Sequence, residues 1–116
     1  MVFFVDKGNI MKKENIIKKS YEINSVIDNK NQKKNKYFYI YNKESNNSNY
    51  RFAICVSKKI GNAVTRNKVK RQIKDILDKN KNLFSYHDDY VIIVRKEINN
   101  LDYSQMKDYL MELFKD

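Results

Sequence analysis

Between Ser57 and Lys74 the chain carries seven of its 24 Lys and Arg residues and no acid. Side chains of that kind are suited to holding anionic oxygens, and their order gives the surface a shape. A turn at Gly61-Asn62 precedes Val69, Ile73, Ile76 and Leu77, whose i, i+4, i+7, i+8 spacing marks one face of a helix. At about 100° per residue, Arg66, Lys70 and Lys74 climb beside that stripe, with Asn67 and Arg71 about 100–140° round from Arg66. Asn62 or Thr65 is placed to cap the helix, which sets its free N–H groups and positive dipole end beside the same cations. Both features attract phosphate. Arg is scarce here, 4 against 20 Lys, yet Arg66 and Arg71 both fall in this window. The planar Arg fork grips phosphate oxygens or base edges in a way that Lys does not. A merely solvated amphipathic helix would account for the charge, but not for the Arg placement or the missing acids.

The elements that must position this helix follow from pattern. Residues 12–28 read as a first helix with Ile16, Ile17, Ile23, Val26 and Ile27 as its apolar positions, followed by a polar connection over 29–35. Alternation over 36–43 and 50–57 predicts two strands, most simply an antiparallel hairpin closed by the loop at 44–49. The basic helix covers 63–79. Tyr90 to Arg95 is apolar on both faces, as a central strand is, and 102–114 closes the chain as a helix carrying Met106, Leu110, Leu113 and Phe114. The expected class is therefore α+β, in one domain. On the first strand Tyr37, Tyr39 and Tyr41 share a side and Phe38 and Ile40 take the other. Three phenols at period two fit a platform for unpaired bases, each stacked base contributing about 1–3 kcal/mol. They fit half-buried sheet residues equally well. Ala53, Cys55 and Ser57 make one face of the next strand small, which leaves room for a groove.

Composition excludes several function classes. A net charge of +10 on 116 residues suits nucleic acid or an anionic membrane. No apolar run approaches the roughly 20 residues that span a bilayer, and the basic helix has a narrow stripe without aromatic anchors. Cys55 alternates with Phe52, Ile54 and Val56 as a small inward residue, which fits a reducing, cytoplasmic compartment. His87 is the single histidine, and Asp88-Asp89 reads as a turn, so neither a catalytic nor a metal site is expected on this chain. A DNA-reading helix-turn-helix is disfavoured because Ser57 to Gly61 follows a strand, not a scaffold helix. Met1 to Asp6 is too short an apolar run for a secretory signal. Residues 1–10 read as an extension without functional role, with Met11 a natural start.

The run Lys58-Lys59-Ile60-Gly61-Asn62-Ala63-Val64-Thr65-Arg66-Asn67-Lys68-Val69-Lys70-Arg71-Gln72-Ile73-Lys74 resembles the signature of the bacterial ribonuclease P protein component, and the resemblance extends from about Met11 to Asp116. The signature has an Arg-Asn-Arg core; Lys68 at its third place keeps the charge and loses the fork. The resemblance implies a mixed four-stranded sheet with helices, a ribosomal-protein-like fold with a left-handed βαβ crossover, and a cleft between the first helix and the sheet. It implies a subunit of the endoribonuclease that removes the 5′ leader from precursor tRNA, in which the catalytic RNA subunit performs the hydrolysis with Mg2+ held mainly by RNA. Lys58, Lys59, Asn62, Arg66, Asn67, Lys68, Lys70, Arg71 and Lys74 would then bind RNA. Ile23, Ile27 and Tyr41 would line the leader cleft, with Lys58 or Lys59 at its mouth. Many members have Phe at the first two places; Ile cannot stack on a base, which shifts leader contact towards Tyr37 and Tyr39. The alternative is a non-catalytic ribosomal or RNA-assembly protein using the same basic helix.

Overall fold

Tyr90, Val91, Ile92 and Val94 are all buried, and a strand that is apolar on both faces needs neighbours on both sides. In the computed structural model, which describes residues 15–46, 49–84 and 87–114, that strand is β4 (Asp89–Val94). The sheet order is β1-β2-β4-β3, with β1 (Gln32–Lys34), β2 (Phe38–Lys43) and β3 (Arg51–Val56). β4 runs antiparallel to β2 and parallel to β3. The expected hairpin of the second and third strands is thus overturned: β4 lies between them, and the true hairpin is β1–β2. The connection over 29–35 contains β1, which has no apolar residue and exists by pairing with β2.

Three helices cover the sheet: α1 (Ser20–Asp28), α2 (Ala63–Lys79) and α3 (Tyr103–Glu112). α2 keeps the expected bounds, and Asn62 is its cap, the side chain accepting from the Thr65 N–H at 2.9 Å. Gly61 makes the turn before it at φ 152°, a conformation side-chain-bearing residues avoid. α1 is shorter than expected. It starts at Ser20, because Ile16 bridges Phe52 in parallel fashion and the Ile17 N–H donates to the Phe52 carbonyl at 2.8 Å, so this segment lies extended along β3. The expected helical residues 12–14, the extension 1–10, Met11 and positions 47–48 of the loop fall outside the described residues.

The strand alternation splits the apolar residues into two layers. Phe38, Ile40, Phe52, Ile54, Val56, Ile92 and Val94 face Val69, Ile73, Ile76 and Leu77 of α2 and Met106 and Leu110 of α3. On the other face, Ala53, Cys55 and Val91 pack with Ile17 and with Ile23 and Val26 of α1. Small residues on β3 let α1 approach this face. α1 is also held by charge: Arg51 donates to both Asp89 oxygens at 2.8 Å and to Glu22 of α1 at 2.7 Å. Asp88-Asp89 is therefore not a simple turn. Asp89 opens β4, and Asp88 is buried, accepting from the Asn42 amide at 3.1 Å.

Candidate nucleic-acid interface

α2 turns only part of its basic edge to solvent. Asn67, Lys68 and Arg71 are exposed and lie within about 100° of one another round the helix, with Val64, 77% exposed, among them. Lys58 and Lys59 are exposed on the 3-10 turn Lys58–Ile60 that leads from β3 into α2. Asn62 is exposed too, although its carboxamide oxygen is engaged as the cap. No acid lies in the first turn of α2.

The expectation for Lys70 and Lys74 needs correction. Their residues are 6% and 1% exposed, so both are packed with the apolar stripe and do not belong to the open cationic face. The buried stripe is wider than its four apolar members: at about 100° per residue Lys70 and Lys74 lie about 20° and 60° past Leu77, and burial reaches as far as the Lys74 Nζ. Burial, and after it the charge of Arg66, lowers the Lys70 pKa below its ordinary 10.5. Arg66 is half-buried, and its Nε has no hydrogen-bond partner among the described residues. Lys70 is thus a cation whose charge the protein disfavours, and Arg66 beside it keeps a donor that an incoming anion could take.

The second part of the site is the α1 side of the sheet. Paired residues share a face, so the register sets two rows across all four strands: Lys34, Tyr39, Ile93 and Cys55, and then Gln32, Tyr41, Val91 and Ala53. Tyr41, Ile93 and Ile27 are half-buried at the rim of the α1 layer. The Tyr41 hydroxyl accepts from Gln32 Nε2 at 2.9 Å. The Arg95 guanidinium stands 5.1 Å from the Tyr39 ring centroid, a cation on an aromatic face. β3 ends one residue past Cys55, so Lys58 and Lys59 leave the sheet at the Tyr39 end of this surface.

Two expected cleft residues lie elsewhere. Ile23 is wholly buried beneath α1 and presents no surface to a ligand. Tyr37 packs against Tyr109 of α3, ring centroids 4.5 Å apart and planes tilted by 49°, and lies with the α2–α3 layer. It precedes β2, and the Asn35 side chain, accepting from the Tyr37 and Phe38 N–H groups, bends the chain there, so strand alternation does not reach it. Pattern reading passed over Arg95 and Lys34, whose only signal in the sequence is their offset from strands with an unknown register.

This combination, a basic helix behind a parallel strand pair and a tyrosine-bearing sheet face under a short helix, is matched in known proteins. The family model described as Ribonuclease P matches residues 11–116. The chain belongs to the ribonuclease P protein family. It is 43% identical over 107 residues to the ribonuclease P protein component of Mycoplasma mycoides subsp. mycoides SC, covering 91% of this chain and 98% of that one. Identity to the Bacillus cereus (strain B4264) component is 36% over 106 residues, with 90% and 92% covered. Among solved structures, the Staphylococcus aureus RNase P protein superimposes with a TM-score of 0.80 at 28% identity, covering 85% of this chain and 91% of that one. The Thermotoga maritima RNase P protein gives 0.74 at 28% identity, with 81% and 89% covered. Family membership sets aside the ribosomal-protein alternative.

Proposed function

We propose that this chain is the protein subunit of a ribonuclease P holoenzyme, holding the catalytic RNA subunit with the α2 face and the single-stranded 5′ leader of precursor tRNA with the tyrosine face. The observation that carries the reading is the acid-free run from Lys58 to Arg71, which turns Lys58, Lys59, Lys68 and Arg71 to solvent beside half-buried Arg66, whose Nε has no hydrogen-bond partner among the described residues. Lys58, Lys59, Arg66, Lys68 and Arg71 take phosphates of the RNA subunit, and Asn67 adds an amide donor. Tyr39, Tyr41 and Ile27 receive the leader, so that precursor is bound in preference to mature tRNA; specificity is that difference in affinity.

The donor set of the basic face does not fit a metal held by this chain. Lys and Arg are not magnesium ligands, and among the described residues no three His, Cys, Asp or Glu side chains cluster. In this reading hydrolysis, and the Mg2+ it uses, belong to the RNA subunit. What the protein's cations supply is the joining of two polyanions, RNA subunit and precursor. Among the described residues no helix is long and apolar enough to cross a membrane, and the proposed place of work is the cytoplasm.

The test is reconstitution with the organism's own catalytic RNA at low magnesium. Addition of the protein should stimulate 5′ cleavage of precursor tRNA, and Arg71→Ala should lower the log–log salt slope of RNA-subunit binding by up to about 0.7–0.9. Tyr41→Ala should weaken leader-bearing precursor and spare mature tRNA. An unchanged salt slope removes Arg71 from the phosphate contacts, and equal losses for precursor and mature tRNA refute the leader assignment.

A further inference from the structure

β1 is an edge strand made of Gln32, Lys33 and Lys34, all exposed, and from Asn29 to Lys43 the chain contains five lysines and no acid. This second basic stretch is at the opposite edge of the sheet from β3 and α2. Its placement relative to the tyrosines is set by register. Lys34 pairs directly with Tyr39, and Gln32 with Tyr41, so both project on the α1 face, whereas Lys33 pairs with Ile40 and projects on the other. Lys34 makes no ion pair among the described residues. The open part of this row thus begins with a cation at Lys34, passes Tyr39 under the Arg95 guanidinium and reaches half-buried Ile93, and beyond Cys55, which the α1 layer covers, the end of β3 delivers Lys58 and Lys59. The whole row is three strand spacings wide, about 14 Å.

We infer that the 5′ leader crosses the sheet along this row and leaves over β1, where Lys34 holds a phosphate of the leader nucleotides farther from the cleavage junction. The inference rests on the proposed leader assignment. Polarity follows from the position of the RNA subunit: the bond to be cut must reach the RNA that α2 holds, so junction-proximal nucleotides lie on the β3 side and distal ones on the β1 side. Lys30 and Lys36, exposed just outside β1, extend the same positive edge beyond the sheet. Edge lysines also keep a strand from pairing with another copy. That role requires charge at the edge but gives no reason for Lys34 to share a row with Tyr39.

The experiment uses holoenzyme reconstituted with Lys34→Gln, Lys34→Arg or Tyr41→Ala and two precursors. One has a single-nucleotide leader and the other a leader of about ten nucleotides, within the roughly 4–16 that a small single-strand-binding domain covers. Lys34→Gln should weaken the long-leader precursor about two- to five-fold, the size of an exposed ion pair, lower its log–log salt slope by about 0.7, leave the single-nucleotide precursor unchanged, and be rescued by Lys34→Arg. Equal loss for both leaders, or no loss for either, overturns the exit path. So does a variant that self-associates while binding the long leader normally, because the lysines then serve only to guard the edge. If Tyr41→Ala discriminates against the leader and Lys34→Gln does not, the exit over β1 alone fails. If Tyr41→Ala does not discriminate either, the leader assignment itself fails.

Discussion

Replacing Arg51 by Met removes the side chain that pairs with both Glu22 of α1 and Asp89 of the sheet. α1 has nine residues, no side-chain bond at its N-cap Lys19, and only Ile23 and Val26 fully buried. Isolated helices shorter than about 12–15 residues are marginal in water, so α1 depends on its attachments. Arg51 supplies two bonds to Asp89 at 2.8 Å and one to Glu22 at 2.7 Å; the side chains are 21%, 8% and 25% exposed respectively. The substitution leaves Asp89 charged and buried without its strongest partner. Breaking a buried pair in this way costs about 3–5 kcal/mol, and the partial exposure of Arg51 and Glu22 places this case near the lower end, about 3 kcal/mol. For a chain of this size that is a fall in Tm of about 12 °C, at roughly 4 °C per kcal/mol. Urea titration should give the same loss. Adding Asp89→Asn to Arg51→Met should recover about 1–2 kcal/mol, since the buried carboxylate that lost Arg51 is gone. Amide exchange in Ser20–Asp28 should accelerate well before that in α2. A loss under about 1 kcal/mol, or single-variant costs that simply add in the double variant, would refute the view that this triad fastens α1.

Three further outcomes are expected. Gly61→Ala should destabilise the protein by about 1–3 kcal/mol by equilibrium unfolding, because φ is 152° and a Cβ there would sit 3.1 Å from the Thr65 Cβ and Cγ2; wild-type stability would show that the turn relaxes freely. Burial, and then the hydrogen bond to Asp75, push the Tyr103 pKa from 10.0 up to about 12. The folded state therefore keeps a proton that the unfolded chain loses, so stability is full below pH 10.0 and declines as pH rises towards about 12. Tyr103→Phe should remove that part of the alkaline decline. The same bond, followed by Lys79, holds the Asp75 pKa below its ordinary 3.8, a contribution present above the unfolded value and lost as pH falls through the folded one; the variant should lose stability on this limb too. A wild-type pH profile in Tyr103→Phe would refute both. Burial raises the Cys55 thiol to about 11, so near pH 8.5, where a free cysteine is about half ionised, a thiol reagent should label it only after denaturant is added. Stoichiometric labelling of folded protein would contradict its burial.

What could be read in the sequence depended on how local its cause was. α2 was legible with its ends, since the apolar stripe, Gly61 and the Asn62 cap lie within one continuous segment. β4 was legible as central because both its faces are apolar. The β2–β3 hairpin was misread because pairing partners are a tertiary choice, and the loop after Lys43 is long enough to pass over an inserted strand. Ile16 and Ile17 fit a helix stripe as well as an extended segment, and the Phe52 backbone decides between them. At the site, the exposed half of the α2 face was found because charge and period coincide. Lys70 and Lys74 were misplaced because the sequence shows the direction of a side chain and not how far the opposing layer reaches. Lys34 and Arg95 escaped notice because each acquires its meaning from Tyr39 across a strand pair.

The position of β4 has a consequence for how the chain is made. Among the described strands it is the last to leave the ribosome, yet β3 otherwise has only the short extended segment at Ile16 and Ile17 and β2 only the three residues of β1. Thirty-eight positions separate Val56 from Val94, so at 5–20 residues per second β3 waits roughly 2–8 s for its neighbour. During that interval Phe52, Ile54 and Val56 are open to any other strand edge. The positive charge that serves RNA would then have an earlier use, keeping nascent copies apart until the middle of the sheet arrives.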